Sequence, residues 1–171
     1  TIVETWFESN NAKKYSFGAM FNGSHHERFK GRSYYLNVFH KYRFNDKLSL
    51  TQDLTFQPFK NNIGFDGNDG SNIFFALRDR KTAINSITGK YNFNNKSGIE
   101  MRLRHYWSEV QKKDFYKLNK DGSLTNNQLY SSPDVSFNQF TLFAEYSYQF
   151  APGSFINVVW KNENFNGNEI A

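Results

Sequence analysis

Between Ile84 and Trp107 the chain alternates apolar and polar residues twice in succession, once on each side of a short polar turn. Ile87, Tyr91 and Phe93, then Ile99, Met101, Leu103 and Trp107, occupy odd positions, while Lys90, Asn92, Glu100, Arg102 and Arg104 occupy even ones. Successive side chains of a strand point to opposite faces, so this period of two makes a hairpin with one apolar and one charged face. Each arm runs for about ten residues, the length that takes a tilted strand across the hydrocarbon of a bilayer. The pattern predicts a membrane-spanning hairpin.

Composition favours the same reading over a soluble core. The 171 residues include 19 Phe, 10 Tyr and 3 Trp, yet the mean hydropathy is -0.74. A membrane barrel reconciles the two by turning aromatics and aliphatics outward and polar groups toward its lumen. No apolar run approaches the length of a helical span. The absence of Cys rules out a disulfide framework and thiolate metal sites. The net charge of +5 suits an anionic membrane surface, and no nucleic-acid-binding motif accompanies it, so nucleic acid is not an expected partner.

The same alternation recurs along the chain. Strands are expected at Thr1 to Glu8, Tyr15 to Asn22, Ser33 to Phe44 and Leu48 to Gln57, where Pro58 withdraws a ladder donor and ends the pairing. After the central hairpin come Val135 to Phe150 and Ser154 to Asn162. Tight connections at Ser9 to Lys14, Asn45 to Lys47, Asn94 to Lys96 and Ala151 to Gly153 alternate with long loops at Gly23 to Arg32, Lys60 to Asn72 and Gln111 to Asp134. Asn164 to Ala171 reads as a polar tail outside any strand, and Thr1 opens the chain without a signal peptide, so a fragment or trimmed chain is expected. No internal domain boundary is visible in residues 1–171.

A short repeat orders these strands. Tyr42-Arg43-Phe44, Tyr91-Asn92-Phe93 and Tyr148-Gln149-Phe150 each precede a tight turn, with Tyr and Phe on the apolar face. Three aromatic pairs at one boundary make an interfacial girdle. The fold class expected is therefore all-β: an antiparallel up-and-down transmembrane β-barrel of about eight strands, part of a larger barrel. Turn lengths place Lys90 opposite Glu100, His40 opposite Gln52 and Asn85 opposite His105. The last two are polar pairs on an apolar face, where hydrogen bonding within the pair or a place near an interface lowers their cost.

Catalytic signals are weak. His25 and His26 point to opposite faces of a strand, which does not make a metal site. The FDGNDGSN stretch around Asp66 and Asp69 reads as a turn, as does Asn119 to Ser123. No phosphate loop, nucleophile elbow or cofactor motif is present, and no catalytic residue, cofactor or metal is assigned.

The segments SITGKYNFNNKSGIEMRLRHYWS, FYKLNKDGSL and YQFAPGSFINVVWKN resemble the carboxy-terminal outer-membrane β-barrel region of a Bacteroidota domain family of unknown function. The resemblance runs from about Tyr34 to Asn162. Its members commonly carry a family 9-like carbohydrate-binding module ahead of this region, and the family offers no catalytic residues to transfer. The resemblance implies a bacterial outer-membrane location, further strands on both sides, and partners in the bilayer, lipopolysaccharide and the remainder of the parent barrel. Glycan handling is implied through the module alone.

Two sets of residues stand out as candidates. Lys41, Arg43, Asp53, Lys90, Glu100, Arg102, Arg104 and Glu145 share the polar parity and are expected to line the lumen. Their mixed signs are expected to pair across the wall and leave a small or plugged passage. Phe65, Phe115, Tyr116 and Tyr130 lie in the expected loops as candidate glycan contacts by stacking. The functional expectation is glycan-linked binding or uptake at the cell surface, with a membrane-associated carbohydrate hydrolase and a soluble sugar-binding or nucleic-acid-binding sheet as alternatives.

Overall fold

The computed structural model describes the backbone of residues 1–170 and the side chains of residues 1–168. Nine strands run in order: β1 (Ile2–Glu8), β2 (Tyr15–His26), β3 (Gly31–Arg43), β4 (Leu48–Asn68), β5 (Ile73–Asn94), β6 (Ser97–Leu118), β7 (Leu124–Asn126), β8 (Asp134–Ala151) and β9 (Ser154–Ile170). They form one antiparallel up-and-down sheet in the order β1-β2-β3-β4-β5-β6-β8-β9, and short β7 pairs with the far end of β6. Closure into a barrel would require β1 to pair with β9. Among the described residues it does not, so the sheet is open: nine strands stand where about eight are expected, and they form no barrel by themselves.

Strands extend well past the expected boundaries. Pro58 does not end β4: it pairs with Lys81 of β5. Its missing N–H falls toward β3, where the ladder is interrupted between Ser33–Phe59 and Leu36–Phe56. The expected loops at 23–32 and 60–72 are mostly strand and that at 111–134 is half strand, since β2 reaches His26, β4 reaches Asn68 and β6 reaches Leu118. Three bulges hide the period of two in the last two of these. They fall between Phe59 and Asn62, at Asp66 and at Lys113, each adding a residue that swaps the parity of the strand beyond it. The expected polar tail is also strand: Asn164 to Ile170 continue β9 against β8, and Ala171 lies outside the described residues.

Asparagine and aspartate side chains close the turns. Asn45 Oδ1 accepts the backbone N–H groups of Lys47 and Leu48, both at 2.9 Å. Asn94 does the same for Lys96 at 2.8 Å and Ser97 at 3.0 Å, and at the opposite end Asp69 does it for Ser71 and Asn72. At the Pro152-Gly153 turn, Gly153 supplies φ 76. The register is the one turn lengths predict: Lys90 opposite Glu100, His40 opposite Gln52 and Asn85 opposite His105.

The sheet has an inverted relation to water. The strand residues of β3 that are most covered include Ser33, while Tyr34 and Leu36 on the opposite face are 44% and 43% exposed. Ser16 on β2 is buried beside exposed Tyr15 and Phe17. The face bearing Tyr34, Leu36, Leu54, Phe56, Met101 and Leu103 is therefore the open one, and the polar face is the covered one. Among the described residues the buried hydrophobic core is only Phe74, Ala76 and Leu77, all beyond the central hairpin. Monomeric soluble domains rarely expose a contiguous apolar face of this kind.

Candidate functional site

All eight charges expected on the polar parity fall on the covered face. Hydrogen-bonded register sets them in three adjacent rows: Arg43, Lys90, Glu100 and Glu145; then Lys41 and Arg102; then Asp53 and Arg104. Only part of the set pairs. Glu100 receives Lys90 at 2.9 Å and Arg102 at 3.1 Å. Asp53 accepts a hydrogen bond from Asn37 at 2.9 Å, and the Arg104 guanidinium lies 5.3 Å from the Tyr106 ring centre. Glu145 stands directly opposite Glu100 in the ladder. At the tight-turn end the covered face opens into two adjoining concavities of about 800 and 620 Å³, which share Asp46, Lys47, Lys90 and Asn92.

The open face carries a polar track of its own. Tyr15 donates to His40 Nδ1 at 3.5 Å, His40 Nε2 donates to Gln52 at 3.0 Å, and Gln52 donates to Asn85 at 3.1 Å. Beside Asn85, His105 donates to Asn138 at 2.6 Å and stacks on Phe140 at 4.2 Å. Each polar group thus meets another, which explains how histidines and amides sit on an apolar wall. These histidines are bonded to amides rather than to carboxylates, an arrangement that fixes rings in place.

The four loop aromatics do not converge. Tyr130 stacks on Phe74 with ring centres 4.0 Å apart and meets the edge of Phe115 at 5.5 Å. Tyr116 packs instead against Phe29 at 5.2 Å, and Phe65 against Phe75 at 6.4 Å. Tyr130 belongs to a fastening that periodicity did not reveal. The segment between β7 and β8 folds back over β6 and reaches Asp66, whose carboxylate meets Lys112 Nζ at 2.6 Å and accepts the Ser132 hydroxyl. Lys112 also donates to Ser132 at 2.7 Å, and its backbone N–H reaches Asp134 at 2.7 Å. The side chains of Lys112 and Asp66 are 8% and 2% exposed. Burial pushes the Asp66 carboxyl up, but Lys112, Ser132 and Tyr130 outweigh it and hold the group below the usual carboxylate range. The bulge residue Lys113 makes a second tie nearby, to Asp79 at 2.7 Å and to Asn61 at 3.0 Å. The sequence signal for both ties was a pair of lysines and isolated aspartates inside stretches whose period is broken.

Fold and site together define an antiparallel up-and-down β-sheet protein with an exposed apolar wall, a charged wall and fastened strand extensions at one end. The chain belongs to the family described as Domain of unknown function (DUF5916), whose sequence profile matches residues 1–171. No curated protein matches the chain.

Proposed function

We propose that the chain is a wall segment of a bacterial outer-membrane β-barrel, with its open face against lipid and its covered face toward the lumen, serving glycan-linked binding or uptake at the cell surface. The observation that carries the membrane reading is the slope of the apolar band. Tyr34 to Phe44, Ala83 to Phe93 and Phe140 to Phe150 bound that band on β3 and its turn, β5 and β8, each spanning ten residue steps. In the ladder, Tyr42 shares a row with Leu50 and Gly89, so Tyr91 lies one row nearer the turns. Tyr91 shares a row with Ile99 and Tyr146, so Tyr148 lies one row nearer again. Both edges of the band descend together, Ala83 below Tyr34 and Phe140 below Ala83.

Two rows over four strands is ~14 Å along the strands against ~19 Å across them, a slope of about 35°. Barrel strands cross a membrane tilted by ~35 to 45°. Ten residue steps at that tilt give a height of about 28 Å, close to the ~25 Å apolar band of outer-membrane barrels. The same slope places the outward Asn162, Asn164 and Asn166 of β9 above the band's edge or close to it, where amides face water or headgroups. Open edges at β1 and β9 cannot remain unpaired in hydrocarbon, so further strands complete the wall. The glycan assignment and the Bacteroidota setting rest on the resemblance of the hairpin segments to a family that carries a carbohydrate-binding module.

Topology gives the test. Residues 95–96, 44–47 and 152–153 turn at one end of the sheet, and residues 69–72 and 119–123 at the other. Single cysteines at Asp121 and Asn94 meet no native thiol. In intact cells producing the full-length protein, an impermeant maleimide should label the residue 121 variant, and the residue 94 variant only after the outer membrane is opened. Labelling at 94 but not at 121 reverses the orientation; equal labelling at both removes the membrane reading.

A further inference from the structure

The charged wall is not neutral along its length. The two concavities at the tight-turn end are lined by Lys14, Lys41, Arg43, Lys47, Lys90 and Lys96 but only by Asp46, Glu100 and Glu145 on the acidic side. Among the described residues only Lys90 of the six is in an ion pair. The Lys14 ammonium turns to the open face, over the Tyr42 ring at 5.4 Å, which leaves it outside the site, and Arg43 reaches only the Ala12 carbonyl at 3.5 Å. Cations that hold a wall together would be matched with carboxylates; most of these are not. The remaining lining is rich in amides, Asn45, Asn92, Asn94 and Asn95, which offer both donors and acceptors. A concavity with unmatched positive charge, a lining that includes amides and a volume in the range of small-molecule sites fits an anion.

We propose that this end of the covered face binds a small multivalent anion, carrying carboxylates or phosphates, with Lys41 and Arg43 from β3 as its principal charge partners and the turn lysines Lys47 and Lys96 around it. The site rests on the reading of the covered face as a water-filled lumen. Arg43 supplies a planar fork suited to either oxyanion, while Lys41 and the turn lysines supply point charges. Asp46 works against the ligand: it lines both concavities and has no ion-pair partner of its own among the described residues. Its removal therefore raises the potential of the site without removing any donor the ligand uses.

Isothermal titration of the full-length protein in detergent micelles tests this with three probes: inorganic tripolyphosphate, trigalacturonate and neutral maltotriose. One or both anions should bind and maltotriose should not, and the two anions separate phosphate from carboxylate preference. Raising salt from about 50 to 500 mM should weaken binding at least tenfold, because the screening length falls to a few ångströms. The variant carrying Lys41→Gln and Arg43→Gln should lose about tenfold or more, and Asp46→Asn should bind about threefold tighter. A gain in Asp46→Asn cannot come from misfolding. Binding of neither anion, equal binding of maltotriose, or an unchanged or weakened Asp46→Asn variant overturns the proposal. Vesicle flotation of the same samples separates the two claims: protein that inserts yet binds no anion refutes the site alone, and protein that does not insert refutes the lumen beneath it.

Discussion

Met101→Arg should abolish efficient assembly into bilayers, whereas Arg102→Met, one residue along, should be nearly silent. On β5 the midpoint of the apolar band is Thr88, which pairs with Arg102; on β8 it is Glu145, which pairs with Glu100. The midpoint on β6, between those two partners, is Met101, 47% exposed on the open face and flanked in register by the small Gly89 and Ala144. Arginine at the bilayer midplane on a lipid-facing wall costs about 2 to 4 kcal/mol. Arg102 points the other way and pairs with Glu100 at 3.1 Å while half exposed, an ion pair whose loss costs about 0 to 1 kcal/mol. Urea-titrated folding into vesicles measures both. A Met101→Arg loss no larger than that of Arg102→Met would place lipid on neither face.

What could be read from the sequence was whatever obeys a single period. The pairings of Lys90 with Glu100 and His40 with Gln52 came from alternation and turn length because no bulge intervenes between those positions and their turns. The eight charges share a face for the same reason. The strand extensions were hidden because Asp66 and Lys113 are extra residues in their ladders, and the residues beyond them change face without changing type. A stretch whose parity switches looks like a loop. Pro58 misled in a different way: it lacks a donor, but the ladder had already opened on that side at Tyr34 and Tyr35. The cationic concavity was only half visible, since Lys41, Arg43 and Lys90 lie on strands with a readable parity while Lys14, Lys47 and Lys96 sit in turns where periodicity assigns no face.

The fastening over β6 should fail completely on Asp66→Asn. The substitution leaves the Lys112 ammonium, 8% exposed, without its anion, and turns a charge-assisted acceptor for Ser132 into a weaker one. Breaking one half of a buried pair costs about 3 to 5 kcal/mol, most of it the stranded charge. That loss falls locally, because the segment between β7 and β8 is otherwise held mainly by Tyr130 against Phe74 and Phe115. Hydrogen exchange at residues 127–134 should rise by orders of magnitude while β5 and β6 within the apolar band stay protected. Replacing both partners, Asp66→Leu with Lys112→Met, should restore most of the protection, since an apolar pair strands no charge. The pH dependence has a defined sign. The Asp66 carboxyl lies below its ordinary value when folded, so its contribution is complete above the unfolded pKa of about 3.9 and is lost as pH falls through the lower folded value. Wild-type segment exchange, corrected for the intrinsic rate, should therefore stay flat from neutral pH down to about 4 and rise only in stronger acid, a rise absent from the Asp66→Leu/Lys112→Met variant. Exchange in Asp66→Asn indistinguishable from wild type at neutral pH would mean that the aromatic stack alone holds the segment and that the ion pair contributes nothing to its closure.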